Sequence, residues 1–224
     1  MDKRKSDILE AVVEEFINFG EPISSSTLYE YYDFGIKPAM IRFELESLSE
    51  DGFLEQPHIS SGRVPTDLGY EFFASRILER EKKNNLKDAR IKNLFLKQEW
   101  NNFVYEFSSK LNILSILADF DNEKVYKIGL ENLIENLDWN DKKELNQVIR
   151  DFEEIDNELF LKKGKTENTP SVFVGDKSPV TKSKNISVIC GRYNVNGSDV
   201  EVFCIGPKRM DYRKVIKTLK GLEN

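Results

Sequence analysis

Residues 54–70 read Leu54-Glu55-Gln56-Pro57-His58-Ile59-Ser60-Ser61-Gly62-Arg63-Val64-Pro65-Thr66-Asp67-Leu68-Gly69-Tyr70, and the architecture of the amino-terminal part turns on them. Residues 53–56 and 63–65 have the length and composition of two short strands, and they flank a small polar loop, residues 57–62, that contains glycine. Thr66-Asp67 then caps a helix carrying Tyr70, Phe72, Phe73, Ile77 and Leu78. Upstream of the loop, Ile41, Leu45 and Leu48 recur at i, i+4 and i+7, the buried stripe of a helix that Ile36-Lys37-Pro38 opens and Asp51-Gly52 ends. Proline is tolerated in that first turn because its missing donor has no helical partner there. Before it, Ser24-Ser25-Ser26 offer an N-cap for a short helix through Thr27, Leu28, Tyr31 and Tyr32, after which Asp33-Phe34-Gly35 turns the chain. Ile8, Leu9, Val12, Val13, Phe16 and Ile17 set out a first helix, with Ser6 as cap, Asp7 beside the positive end of the dipole and Gly20 as stop. A supporting helix, two helices joined by a glycine-containing turn, and a strand-loop-strand wing predict a winged helix-turn-helix over residues 1–78.

Beyond it, Glu79-Arg80-Glu81-Lys82-Lys83-Asn84-Asn85 has no apolar period and reads as a solvated helix end or linker at a domain boundary. Residues 79–111 are expected to be linker helices, with residues 86–110 helical. The apolar run at residues 112–119 reads as a buried strand, though a helix fits its periodicity as well. Residues 124–136 and 141–160 read as helices, the second capped by Asn140, and residues 162–170 as a polar loop. Val172-Phe173-Val174 is a short strand. Residues 186–195 and 198–205 form two more, joined at Asn196-Gly197, the dipeptide that best accepts the positive φ angles of a type I′ turn. That register sets Cys190 opposite Phe203 and Cys204 opposite Ile189, which puts the thiols on opposite faces of the ribbon where they cannot bond. Residues 211–219 make a terminal helix bearing Arg213, Lys214 and Lys217. The expected fold class is α+β, with a second domain over residues 112–224.

Composition narrows the chemistry. The chain has 224 residues, 39% hydrophobic and 32% charged, with 15 Phe and 8 Tyr, far more apolar material than a disordered chain carries. No apolar run approaches the roughly 20 residues of a bilayer span, and the amino terminus lacks a signal-peptide core, so a cytoplasmic protein with no membrane partner is expected. Two cysteines and one histidine leave the metal-ligand inventory nearly empty, and no metal or cofactor is expected. The sequence contains no Gly-x-Ser-x-Gly, no phosphate-binding glycine loop and no His/Glu metal helix. Paired acids such as Glu153-Glu154 read as a solvated helix face. No catalytic residue is expected, and the protein reads as a non-enzyme.

Charge is the obstacle to a nucleic-acid reading. Net charge is −6, and residues 1–76 hold 7 Lys and Arg against 15 Asp and Glu, a net of −8 that leaves +2 for the rest. The few cations are nevertheless local: Lys37 starts the third helix, Arg42 lies off its buried stripe, and His58 and Arg63 flank the wing. Glu10, Glu14 and Glu15 on the first helix would face away. Ser60, Ser61 and the Gly62 amide add neutral phosphate donors at the wing. The candidate DNA-binding set is Ser25, Ser26, Lys37, Ala39, Met40, Arg42, Phe43, His58, Ser60, Ser61, Gly62 and Arg63. Each has a plainer alternative: Arg42 pairs with Glu46 at i+4, and His58 beside Pro57 is a turn residue. Met40 and Phe43, on the side away from Ile41 and Leu45, meet thymine methyls, a protein partner or their own core.

The quoted wing closely resembles the signature of the HrcA family, bacterial heat-inducible transcription repressors. Gly20-Glu21-Pro22-Ile23 and Ala39-Met40-Ile41-Arg42 fit that family too, so the resemblance runs from about Ser6 to Leu78. It returns at Gly129-Leu130-Glu131-Asn132-Leu133, and Ile205-Gly206-Pro207-Lys208-Arg209-Met210-Asp211-Tyr212 is similar to the family's Gly-Pro-x-Arg-Met-Asp-Tyr element. The resemblance implies a homodimeric repressor with a winged helix and a GAF-like domain. Such a repressor binds double-stranded DNA at an inverted-repeat operator called CIRCE, upstream of chaperone genes, with the chaperonin GroEL as partner and heat relieving repression. Two departures stand out. Family members are longer between the helix ending near Lys110 and Gly129, where they carry more of the GAF-like sheet and an inserted dimerisation domain. A reduced GAF-like domain is therefore expected here, with dimerisation through residues 86–111 or an exposed sheet edge. The second departure is that Met40 and Phe43 stand where the family usually has a polar Thr and Asn able to hydrogen-bond base edges. Two rival readings follow, a protein-interaction module using Met40 and Phe43, and a sensor whose GAF-like pocket tunes DNA binding.

Overall fold

The computed structural model describes residues 1–81, 88–137, 142–161 and 170–223. It divides into two compact units, Met1–Arg76 and Ile77–Asn224. The first contains α1 (Lys3–Phe19), α2 (Ser25–Tyr31), α3 (Pro38–Glu50), β1 (Leu54–Glu55), β2 (Val64–Pro65) and most of α4 (Asp67–Arg80).

Asp2, rather than Ser6, caps α1: its carboxylate accepts from the Lys5 amide at 2.9 Å, and Ser6 is buried inside the first turns. The helix therefore starts before the first apolar repeat, because the better anionic acceptor for the orphan amides lies upstream. Gly20, at φ 74, closes it. Ser24 caps α2 by accepting from the Thr27 amide, and Pro38 opens α3. Ile41, Leu45 and Leu48 are buried as the periodicity predicts, with Ile8, Leu9, Val12 and Val13 of α1 in the same buried class. Each such side chain contributes about 1.5–3 kcal/mol relative to exposure. β1 and β2 pair antiparallel, Leu54 opposite Pro65 and Glu55 opposite Val64. Ile23 and Arg63 exchange backbone hydrogen bonds of 2.9 and 2.8 Å, so the segment before α2 is stitched to the start of β2.

The second unit follows as α5 (Ala89–Leu96), α6 (Trp100–Leu111), β3 (Leu114–Asp119), β4 (Lys124–Ile128), α7 (Leu130–Asn136), α8 (Lys142–Leu161), β5 (Ser171–Val174), β6 (Ile186–Val195), β7 (Ser198–Pro207) and α9 (Tyr212–Lys220). Its strands form one antiparallel sheet in the order β4-β3-β7-β6-β5, and the protein is an α+β chain. Leu133 of α7 and Val148, Ile155 and Leu159 of α8 join Ile116, Val188, Phe203 and Ile205 in one core. Phe95 of α5 packs on Trp100, Phe103 and Tyr193 at centroid distances of 5.7, 4.9 and 5.3 Å.

Two expectations for this unit are corrected. The helical stretch expected over residues 86–110 breaks at Gln98, which adopts φ 60 while its side-chain amide donates to the Val195 carbonyl at 2.8 Å. Residues 124–136 form a strand and a helix rather than one helix. The Asp119 carboxylate accepts from the Asp121 and Asn122 amides and turns the chain back, so that β4 pairs with β3 before Gly129 starts α7. The hairpin has the expected register, with Cys190 opposite Phe203, Cys204 opposite Ile189, and Asn196 and Gly197 at positive φ. Both thiols are buried and free. The Asn140 cap, residues 82–85 of the charged run and residues 162–169 of the polar loop lie outside the described residues. Among the described residues, no helix is long and apolar enough to cross a membrane.

Candidate nucleic-acid interface

With Ile41, Leu45 and Leu48 turned inward, α3 presents Ala39, Arg42, Phe43 and Glu46 outward at i, i+3, i+4 and i+7, one exposed stripe. Met40 lies beside it. Met40 is 47% and Phe43 63% exposed, so neither is spent on its own core. Lys37, also exposed, immediately precedes the helix.

Of the other cations of this unit, Lys3 and Arg4 are exposed at the start of α1 without an ion pair among the described residues, while Lys5, Arg63 and Arg76 are committed. Lys5 donates to the Ser47 hydroxyl at 2.6 Å and the Asp51 carboxylate at 2.5 Å, and Arg76 pairs with Glu10 at 3.1 Å. Among the described residues, Lys37 and Arg42 form no ion pair, so the Arg42–Glu46 alternative is not realised. Both charges lie at the amino-terminal end of α3, where the helix dipole is also positive. Elsewhere in the unit, the Tyr32 hydroxyl donates to Glu15 at 2.7 Å, and burial followed by that carboxylate pushes its pKa upward, so it stays neutral.

The loop between β1 and β2 is held from inside. Gln56 Nε2 donates to the carbonyls of Ile59 and Ser61, both at 2.9 Å. The Ser61 hydroxyl accepts from the His58 amide at 3.0 Å and lies 2.8 Å from the His58 carbonyl. His58, Ile59 and Ser60 are left exposed at the tip, Ile59 completely. Arg63 donates through Nε to the Ser49 hydroxyl at 2.9 Å, tying β2 to α3. Gly62 sits so close to the neighbouring segment that a Cβ there would lie 2.4 Å from the Ile23 carbonyl carbon and oxygen.

Between α3 and this loop lies an open cleft of about 370 Å³. Of the predicted residues, Ser25, Arg42, Ser60, Ser61, Gly62 and Arg63 line it together, although Ser25 itself is buried. Lys37, Ala39, Met40 and Phe43 lie along exposed α3 outside the cleft lining, Ser26 is exposed on α2, and His58 is exposed on the loop. Sequence reasoning passed over Gln56, which braces the loop, and Ile59, which tops it. The signal for Ile59 was available as a lone branched apolar side chain in an otherwise polar segment. Among the described residues, no group of three or more His, Cys, Asp or Glu is placed to hold a metal.

Residues 70–216 match the family described as HrcA protein C terminal domain. This chain belongs to the HrcA family. It is 40% identical over 92 residues to the heat-inducible transcription repressor HrcA of Desulforamulus reducens, covering 41% of this chain and 26% of that protein. It is 38% identical over 120 residues to the protein of the same name from Clostridium tetani, covering 53% of this chain and 33% of that one. Its matches to these HrcA relatives thus span about a quarter to a third of their length. Among solved structures, a hypothetical protein with a 2.2 Å crystal structure superposes with a TM-score of 0.69 at 15% identity, over 99% of this chain and 96% of that one. That similarity extends the fold assignment beyond the segment covered by the HrcA profile.

Proposed function

We propose that this HrcA-family chain is a DNA-binding transcriptional repressor of heat-shock genes, acting by occupying its operator and not by catalysis. The observation that carries the reading is the placing of two unpaired cations, Lys37 at the cap of α3 and Arg42 on its exposed face, beside an internally braced loop in a unit of net negative charge. In this reading α1 to α3 with β1 and β2 are a winged helix-turn-helix over residues 1–78. Helix α3 enters the major groove, and the loop of residues 57–62 is the wing that meets backbone. Lys37 and Arg42 neutralise phosphate or reach base edges. His58, Ser60 and the Gly62 amide face the sugar-phosphate chain, while Ser61 and Arg63 chiefly hold the wing in place. The larger unit, which includes α5 and α6 of the expected linker segment, with Phe95 of α5 packed on Tyr193 of β6, is in this reading a reduced GAF-like domain.

An inverted-repeat operator of the CIRCE type calls for a two-fold homodimer with half-sites on one face of the duplex. In this reading the chaperonin GroEL is the protein partner, as the resemblance implies, and the cytoplasm is the compartment. The deciding measurement is fluorescence anisotropy of the purified chain on a duplex with the inverted repeat, on one half-site and on scrambled DNA, across a salt series, with mass determined in solution. The expected result is a dimer that binds the inverted repeat most tightly and loses affinity steeply with salt. Equal, salt-sensitive weakness on all three duplexes would overturn operator recognition.

A further inference from the structure

Two large apolar side chains stand in water on α3, Met40 at 47% exposure and Phe43 at 63%, although the core face of that helix is already complete with Ile41, Leu45 and Leu48. Packing within the unit therefore does not account for them. Their surroundings narrow what does. The helix is electrically polar along its length: Lys37 and Arg42 occupy its amino-terminal end, and Glu44, Glu46 and Glu50 follow in its second half. A polyanion is attracted to the first turns, where the dipole adds to the cations, and repelled from the last. A helix entering the major groove under that field goes in amino terminus first, which carries Met40 and Phe43 to the floor of the groove. An apolar protein surface would have no use for two unpaired cations beside these residues.

Neither side chain can match the donor and acceptor code of base edges. The one apolar group the major groove displays is the C5 methyl of thymine. We infer that Met40 and Phe43 read thymine methyl groups, so that the half-site carries thymines next to the contact made by Arg42, and specificity there comes from apolar burial instead of hydrogen bonding. The inference rests on the DNA-binding reading above. It assigns this chain an operator preference different from one read by the polar Thr and Asn of the family pattern.

Replacing thymine with deoxyuridine tests it, since this deletes the methyl and leaves base pairing and backbone charge untouched. The purified full chain selects from a pool of random duplexes, and each thymine of the enriched duplex is then replaced singly by deoxyuridine and titrated by anisotropy. One or two replacements per half-site weaken binding about fourfold each, the worth of a buried methyl-sized group. Phe43→Ala and Met40→Ala each lose sensitivity at one of those positions, and circular dichroism shows both variants folded, as their exposure predicts. A duplex bound equally well with deoxyuridine at every position overturns the inference while leaving DNA binding intact, as does unchanged sensitivity in both variants. No enriched duplex and no salt-dependent binding would overturn the DNA-binding reading and this one with it.

Discussion

Gly62, at the end of the loop between β1 and β2, has no side chain where one would strike backbone, the Ile23 carbonyl lying 2.4 Å from its notional Cβ. Gly62→Ala must therefore move β2 away from the segment before α2. A stability loss of about 1–3 kcal/mol in urea denaturation is expected, together with weaker DNA binding as the braced loop shifts. The two arginines of the cleft should separate in the same assays. Arg42 is exposed and unpaired, so Arg42→Ala leaves the denaturation midpoint unchanged and lowers the salt slope of binding by about one unit. Arg63 is tethered to Ser49, so Arg63→Ala costs about 1 kcal/mol of stability as well as affinity. Equal stability of the two variants would show that the Ser49 tether carries nothing. At this scale the sequence was legible where local chemistry decides, as with the Ser24 cap and Pro38 at the first turn of α3. Arg63 could be placed at the start of the second short strand from its neighbours in the chain. Its use as a tether depends on Ser49, fourteen residues away, which only packing reveals.

Among the elements, α1, α3 and α4 were readable from their apolar stripes, and the short α2, with Leu28 as its one buried apolar side chain, from its serine cap and the Asp33-Phe34-Gly35 turn after it. β4 was not, because a five-residue edge strand with half-exposed positions carries little period of its own. Its identity comes from β3, reached through the turn that Asp119 organises. The break at Gln98 has the same character, its conformation answered by a carbonyl in β6. Asp88 shows how these shorter helices are held. Its carboxylate caps α5 at the amides of Arg90 and Ile91, both 3.2 Å away, and accepts from Lys110 of α6 at 2.8 Å. The Lys110 hydrogen bond is the main cause holding the Asp88 pKa below the usual carboxylate range. A depressed folded-state pKa contributes stability that is fully present above the unfolded value near 4 and is lost as pH falls through the folded one. Asp88→Asn should therefore lower stability at pH 7 and flatten its decline as pH falls below about 4, measured by urea denaturation across pH. A decline as steep as that of the parent chain would place the acid-sensitive group elsewhere.

At the scale of the whole molecule the two units differ in size and in charge. The first holds the acidic excess and the candidate interface, and the second is about twice as long, with a sheet buried between helices. A shorter unit buries a smaller fraction of its surface and has less stability to lose. The thiols offer a means of telling the two apart on heating. Cys190 and Cys204 lie on opposite faces of the β6–β7 hairpin, and burial is the leading cause that raises both thiol pKa values. Reactivity follows the thiolate, so neither should react with iodoacetamide at pH 8 while the sheet is intact, and both should react together once it opens. When the full chain is heated with its selected duplex, the anisotropy signal is expected to fall at a lower temperature than that at which the thiols become reactive. That order would place the temperature limit of DNA binding in residues 1–76, with the larger unit still folded. Coincident midpoints would instead mean that the units melt as one, and labelling before release would assign the weaker link to the sheet.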